Sequence, residues 1–259
     1  MPFALNLSKD NFYETIILKA MPKRFLVLQN AVWTGPGLYL QQAAKHLKVE
    51  LEQVRLWRQT IPDPANYDGL IVLGGRPVEQ ERAMPYWARE QETIRQAMAS
   101  DRPYLGIGLG HQLLAEAHGA KVSRNYCASI GFIEGHLTKS GREHPVFKGL
   151  PSTLVLFKWH DQAVLEPLPK SLSILATSVE CQVEAISVLG RPYIVGVQFI
   201  NHAGDLTDVE NYWRRDEKWV NSFHGKYVNP AELLTRAKKV HSRMAREFGI
   251  FFRNFVNLC

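Results

Sequence analysis

Cysteine is scarce. The chain of 259 residues holds three, Cys127, Cys181 and Cys259, too scattered for a disulfide framework or a thiolate metal site. That scarcity predicts a reducing compartment, with the cytoplasm as the expected location. Long apolar runs are missing too. None approaches the ~18 residues that cross a bilayer, so no membrane association is expected. Nor is there a dense block of Lys and Arg. A net charge of +6 is spread along the chain, which argues against a nucleic-acid partner. Internal repeats and low-complexity stretches are absent, and no metal or cofactor is expected. Residues 1–20 contain one tight aliphatic cluster, Ile16-Ile17-Leu18, and no small-residue cleavage site, so they read as an N-terminal extension and not as a signal peptide.

What remains is the composition of an ordinary globular protein, 46% hydrophobic and 22% charged. From Met21 the chain alternates. Apolar runs at Arg24–Gln29 and Tyr67–Leu73, with a mixed stretch at Val49–Trp57, read as strands. Leu38–Leu47 and Pro85–Ala99 read as helices, with Pro85 tolerable in a first turn. Strand and helix in alternation predict an α/β fold, a mostly parallel sheet with helices on both faces. After Val122 the pattern changes to short runs at 130–138, 154–157, 172–177, 183–188 and 192–199, which suggests antiparallel hairpins beside the main sheet. Residues 205–259 read as a C-terminal helical extension. Asn229-Pro230-Ala231-Glu232 is a helix start, with Asn as cap, Pro at the first position and Glu two further on. Leu233, Ala237, Val240, Met244, Phe248, Phe251 and Phe255 then form one apolar stripe. It is expected to pack on its own domain or to serve a homo-oligomer or protein partner, and Gly249 is expected to break the helix near its end.

The most telling absence lies in Tyr104-Leu105-Gly106-Ile107-Gly108-Leu109-Gly110-His111-Gln112. A short strand, a glycine-dense turn and a helix follow one another here, and Gly119 stops the helix. Gly106 and Gly110 flank the turn as in a nucleophile elbow, G-x-nucleophile-x-G. The centre should be Ser or Cys, and it is Gly108. A dinucleotide loop would need glycine where His111 stands and an acid about twenty residues on, and the stretch 121–129 has none.

Four blocks together resemble the class I glutamine amidotransferases, in the stand-alone group called GMP-synthase-like. They are Val72-Leu73-Gly74-Gly75-Arg76-Pro77-Val78, the elbow just quoted, Lys158-Trp159-His160-Asp161, and Gly196-Val197-Gln198-Phe199. The resemblance covers residues 21–204 and implies a flavodoxin-like domain there. It also implies a chemistry in which an elbow cysteine attacks the glutamine amide, a histidine relays the proton and a carboxylate orients that histidine. Carried onto this chain, those positions hold Gly108, Ile200 and His202, so no catalytic residue is expected among them. Gly74, Gly75 and Leu109 keep the backbone of an oxyanion hole, and Gln112 keeps a glutamine-contacting position. With His160 they are the candidate pocket residues.

Loss of one partner is compensable, whereas joint loss of three is expected to cost several orders of magnitude in turnover. The expectation is a binding or scaffold pseudoenzyme with a small-molecule ligand in a vestigial glutamine pocket. The alternative is a hydrolase or amidotransferase with a relocated site, using His111, His160, Asp161 or His202, with Cys127 nearby.

Overall fold

A computed structural model of the chain describes residues 22–223 and 228–259. The extension read at residues 1–20 lies outside the described residues. Alternation along β1 (Arg24–Gln29) sets up the layers. Phe25 and Val27 point into one core, Leu26 and Leu28 into the other. Helix α1 (Gly37–Leu47) covers the first face, and β2 (Glu50–Arg55) and β3 (Gly69–Val72) flank β1 in parallel. After the short α2 (Val78–Glu81), α3 (Trp87–Ala99) packs Ile94 and Ala97 on the second face. Pro85 sits ahead of that helix. Strand β4 (Tyr104–Ile107) runs into α4 (Leu109–Ala117), which packs Leu113 and Leu114 beside Ile94.

The second half continues the same sheet. β5 (Lys121–Leu137), the short α5 (Lys139–Glu143), β6 (Thr153–Leu165), β7 (Leu172–Ser178), β8 (Cys181–Val188) and β9 (Arg191–Val197) follow. The order is β2-β1-β3-β4-β9-β8-β7-β5-β6. The first five are mutually parallel, with β9 in the fifth place of a flavodoxin-like 2-1-3-4-5 arrangement. The other four are antiparallel and bonded edge-on to it. The hairpins expected beside the sheet therefore extend it. β5 starts well before the strand expected at 130–138, because a bulge between Arg124 and Ser129 interrupts its apolar alternation.

Two helices close the chain, α6 (Leu206–Val220) and α7 (Pro230–Leu258). The Asn229 side chain caps α7, accepting from the N–H of Ala231 at 2.9 Å and Glu232 at 3.4 Å. Its whole apolar stripe is buried in the first core, with Phe252 and Phe255 against Phe25 at ring separations of 6.4 and 5.7 Å. Each such ring stabilises by ~1.5–3 kcal/mol, so α7 is part of the domain's core and not a detachable arm. Lys23 ties its far end down through Nζ to the carbonyls of Val256 and Cys259, at 2.8 and 2.6 Å. The helix runs unbroken through Gly249, contrary to expectation. A Cβ there would meet nothing within 4 Å, so that residue adds no packing constraint. Among the described residues no helix is long and apolar enough to cross a membrane.

Candidate functional site

The site begins with the turn between β4 and α4. Gly108 has φ 59° and ψ −109°, a strained geometry in which a residue's side chain projects from the turn. Its N–H donates to Val197 O at 2.8 Å, and its carbonyl accepts from Gln112 N at 3.2 Å. Two contacts force this turn tight. A Cβ on Gly106 would lie 2.4 Å from Gly110 C, and one on Gly110 would lie 2.2 Å from Val72 O. Helix α4 thus sits directly on the backbone of β3 and β4. The Tyr104 hydroxyl, wholly buried, fixes its first turn by donating to Gly110 O at 2.8 Å. At Gly108 itself a Cβ would meet only Gly74 Cα at 3.5 Å and Ile200 Cγ2 at 3.6 Å, both ordinary contacts. The turn keeps its shape and the room for a side chain, and has none.

The Gly74–Gly75 loop lies across from this turn, as its place at the end of β3 implies. Gly75 has no room for a Cβ, which would approach Leu109 Cδ2 to 2.5 Å. One buried carboxyl, Glu81, holds the loop from behind. Glu81 accepts from Arg76 N at 3.2 Å and pairs with the Tyr86 hydroxyl, which also donates to Asn30 O at 2.8 Å. Burial pushes the Glu81 carboxyl up. Glu90 is deeper still, and burial, with the Glu81 charge beside it, lifts it to about 8.

Between the loop and the turn opens a cleft of about 310 Å³, at the lower end of drug-sized sites. The candidate residues Gly74, Gly75, Leu109, Gln112 and His160 all line it, with Gly108 and Ile200. Gln112 and Gln198 form its inner wall, joined by an Nε2–Oε1 bond of 3.1 Å, and Gln112 Nε2 also reaches Gln162 O at 3.1 Å. Strand β6 supplies His160, Asp161 and Gln162. His160 Nδ1 lies 2.8 Å from Gln162 O; a carbonyl only accepts, so Nδ1 carries the proton. Burial raises the Asp161 carboxyl.

Of the relocated-site alternative, His160 and Asp161 stand side by side on the cleft wall, and the other residues lie elsewhere. His111 is fully buried where α4 packs on β8 and β9, facing the backbone of Gly196 and Val183, and burial lowers it to about 3. His202 is turned from the cleft into the core, its ring 6.5 Å from that of Phe248, and burial lowers it to about 4. Neither lines the cleft, and neither does Cys127. The space opposite Gly108 is occupied by Ile200, not by His202. No group of three or more His, Cys, Asp or Glu fit to hold a metal occurs among the described residues.

Sequence reading missed the outer half of the cleft. Helix α6, from the C-terminal extension, contributes Tyr212, Arg215, Asp216 and Trp219 to its wall. Arg215 lies over the rings of Trp33 and Tyr212, at 4.9 and 4.8 Å, and Arg76 over Trp33 at 5.1 Å. Asp216 pairs with Arg215 and accepts from Trp159 Nε1 at 2.7 Å. The spacing 212, 215, 216, 219 marks one helix face, a signal available in the sequence, though nothing there says what that face meets.

A doubly wound sheet carrying a glycine-flanked elbow at the end of its fourth strand, facing a Gly-Gly loop, defines a class of α/β proteins with a strand–turn–helix elbow at the ligand end of the sheet. The chain belongs to the class I glutamine amidotransferase family, whose profile, Glutamine amidotransferase class-I, matches residues 38–199. The glutamine amidotransferase-like protein YfeJ of Salmonella typhimurium is 34% identical over 150 residues, 56% of this chain and 62% of that one. A GMP synthase (glutamine-hydrolyzing) subunit from Pyrococcus abyssi is 41% identical over 134 residues, 52% and 65% of the two chains. Its counterpart from Methanococcus vannielii is 31% identical over 164 residues, 62% and 78%. The chain thus spans less than two thirds of the length of YfeJ and of the Pyrococcus protein. A Thermotoga maritima glutamine amidotransferase structure superposes with a TM-score of 0.78, over 90% of this chain and 98% of that one, at 20% identity, a likeness of fold.

Proposed function

We propose that the protein is a class I amidotransferase-fold binding protein that does not turn over glutamine. The observation that carries this reading is the vacant elbow. Gly108 keeps the strained turn and the room beside it, and the side chain facing that room is Ile200, which can neither accept nor donate a proton. None of the three cysteines lines the cleft. Thr34 does, but its hydroxyl is bonded to the Ala31 backbone, at 3.1 Å to the carbonyl and 3.2 Å to the N–H. Without a nucleophile and a base, family-type hydrolysis falls by several orders of magnitude. The cleft itself is open and polar on its inner wall, the form expected of a binding site and not of a filled-in relic.

The test is direct. Purified protein with millimolar L-glutamine should release ammonia and glutamate at the background rate. Turnover in the ordinary enzymatic range of ~1–10³ s⁻¹ would overturn the reading.

A further inference from the structure

The cleft has two unlike halves. Its inner end is built of neutral hydrogen-bonding groups. The N–H groups of Gly75 and Leu109 meet no acceptor among the described residues, and Leu109 opens α4, where the helix dipole favours negative charge. Gln198 is 2% exposed; its Oε1 is taken by Gln112 while its Nε2, on the cleft wall, makes no hydrogen bond among the described residues. Three donors without an acceptor among the described residues therefore belong to the cleft lining around Gly108. The outer end is aromatic, with Trp33, Trp159, Tyr212 and Trp219 around it, and its shape is already fixed. Asp216 bonds α6 to Trp159 on β6, and Arg215 clamps α6 to Trp33 on the loop before α1.

We infer that the cleft takes a small planar aromatic carboxylate, its ring in the Trp33–Trp159–Tyr212–Trp219 chamber and its carboxylate at Gly75, Leu109 and Gln198. This rests on the reading that the cleft binds without hydrolysing. Three donors with no acidic partner favour an anionic acceptor at the elbow end; at the outer end Arg76 and Arg215 are already paired, with Glu81 at 3.8 Å and with Asp216, and Asp161 on the β6 wall repels a second carboxylate, which assigns the anion to the elbow. A ring is required by the four aromatic walls, since offset or edge-on contact with them favours a π-face beyond area alone. A free aliphatic amino acid would leave that chamber unfilled. Half of this wall comes from α6, outside residues 38–199, so the preference belongs to the C-terminal extension and not to the family core.

Calorimetric titration of the full chain with five probes tests it: indole-3-acetate, phenylacetate, cyclohexylacetate, indole and L-glutamine. Indole-3-acetate should bind about tenfold or more tightly than cyclohexylacetate, which lacks the π-face, and than indole, which lacks the charge. It should also bind more tightly than L-glutamine. Trp33→Ala, on a half-exposed loop residue, should weaken it about tenfold. Gln198→Glu keeps the side chain's shape, puts a repelling carboxylate in place of the donor, and should abolish binding while the melting temperature reports that the fold survives. The inference is overturned if L-glutamine binds as tightly as indole-3-acetate, if cyclohexylacetate matches it, if neither variant changes its affinity, or if no aromatic acid binds at millimolar concentration. Ammonia release from glutamine would instead strike at the binding reading beneath it, so the two failures are distinguishable.

Discussion

Replacing Gly108 by alanine isolates the cost of the elbow from the cost of crowding. The backbone at φ 59° and ψ −109° is one a side chain adopts at ~1–3 kcal/mol. Against that, alanine restricts the unfolded chain and offsets ~0.4–1 kcal/mol. No clash adds to the cost, because the new Cβ would meet Gly74 Cα at 3.5 Å and Ile200 Cγ2 at 3.6 Å. The net cost is ~1 kcal/mol, a fall of about 2–4 °C in melting temperature for a domain of this size. Gly110→Ala is the contrast. Its Cβ would sit 2.2 Å from Val72 O, a backbone atom of a buried strand, so α4 must lift off β3. That costs ~3 kcal/mol or more, a fall of about 6–12 °C or no folded protein. Calorimetric melts of the two variants read the difference. Equal destabilisation by both, or a stabilising Gly108→Ala, would refute the claim that the elbow's shape survives with its side-chain slot vacant. Gly108→Cys extends the series: a thiol at the α4 N-terminus should alkylate faster than free cysteine at pH 7, yet release no ammonia from glutamine, since Ile200 supplies no base.

Three further outcomes follow from buried charge. Glu90, held at about 8 in the fold against an ordinary value of 4.5, costs stability wherever the unfolded chain would ionise it, so Glu90→Gln should stabilise by ~3 kcal/mol at pH 7, with the gain fading toward pH 4.5; a pH-independent gain would refute burial as its cause. His111 and His202 titrate near 3 and 4 when folded and 6.5 when unfolded, so their neutral burial contributes stability that is present above pH 6.5 and lost as the unfolded chain takes up protons below it. Each is worth ~2 kcal/mol at pH 5, so the difference in urea midpoint between His202→Gln and the parent protein should shift in favour of the variant from pH 7 to 5, a comparison in which the raised carboxyls Glu81, Glu90, Asp161 and Asp208 cancel. Lys158 and Glu184 form a wholly buried ion pair, with Ser178 Oγ donating to the same carboxylate at 2.6 Å. Lys158→Met should cost ~3–5 kcal/mol by stranding Glu184, and adding Glu184→Leu should recover most of it in denaturant titrations.

The first four parallel strands and the elbow were legible in the sequence because each rests on local signals, whereas β9, read as part of an antiparallel hairpin, is the fifth parallel strand, paired with β4 across more than eighty residues of chain. Apolar runs gave β1 and β3, and the glycines flanking residue 108 gave a turn whose tightness the contacts of Gly106 and Gly110 explain. Gln112 and the Gly74–Gly75 loop were placed by motif and fell on the cleft wall. What could not be read was convergence from a distance. Tyr212, Arg215, Asp216 and Trp219 look like an exposed helix face until β6 and Trp33 arrive beside them. His111 and His202 looked reactive in sequence, where a histidine carries no mark of whether its ring faces solvent or core. The interrupted alternation at Arg124–Ser129 hid the first part of β5, because a bulge breaks the period-two signal that a strand normally shows.

The cleft draws on loops and elements scattered from Trp33 to Trp219, with β4 and β9 at its base separated by more than eighty residues of chain. No single stretch of the chain holds the cavity, so it exists only in the assembled domain. Anything that occupies it must therefore hold the entire domain together, by ~2.7 kcal/mol at a hundred times its dissociation constant. If that turn performs no reaction, as proposed, the melting curve of the intact chain becomes the readout of its ligand.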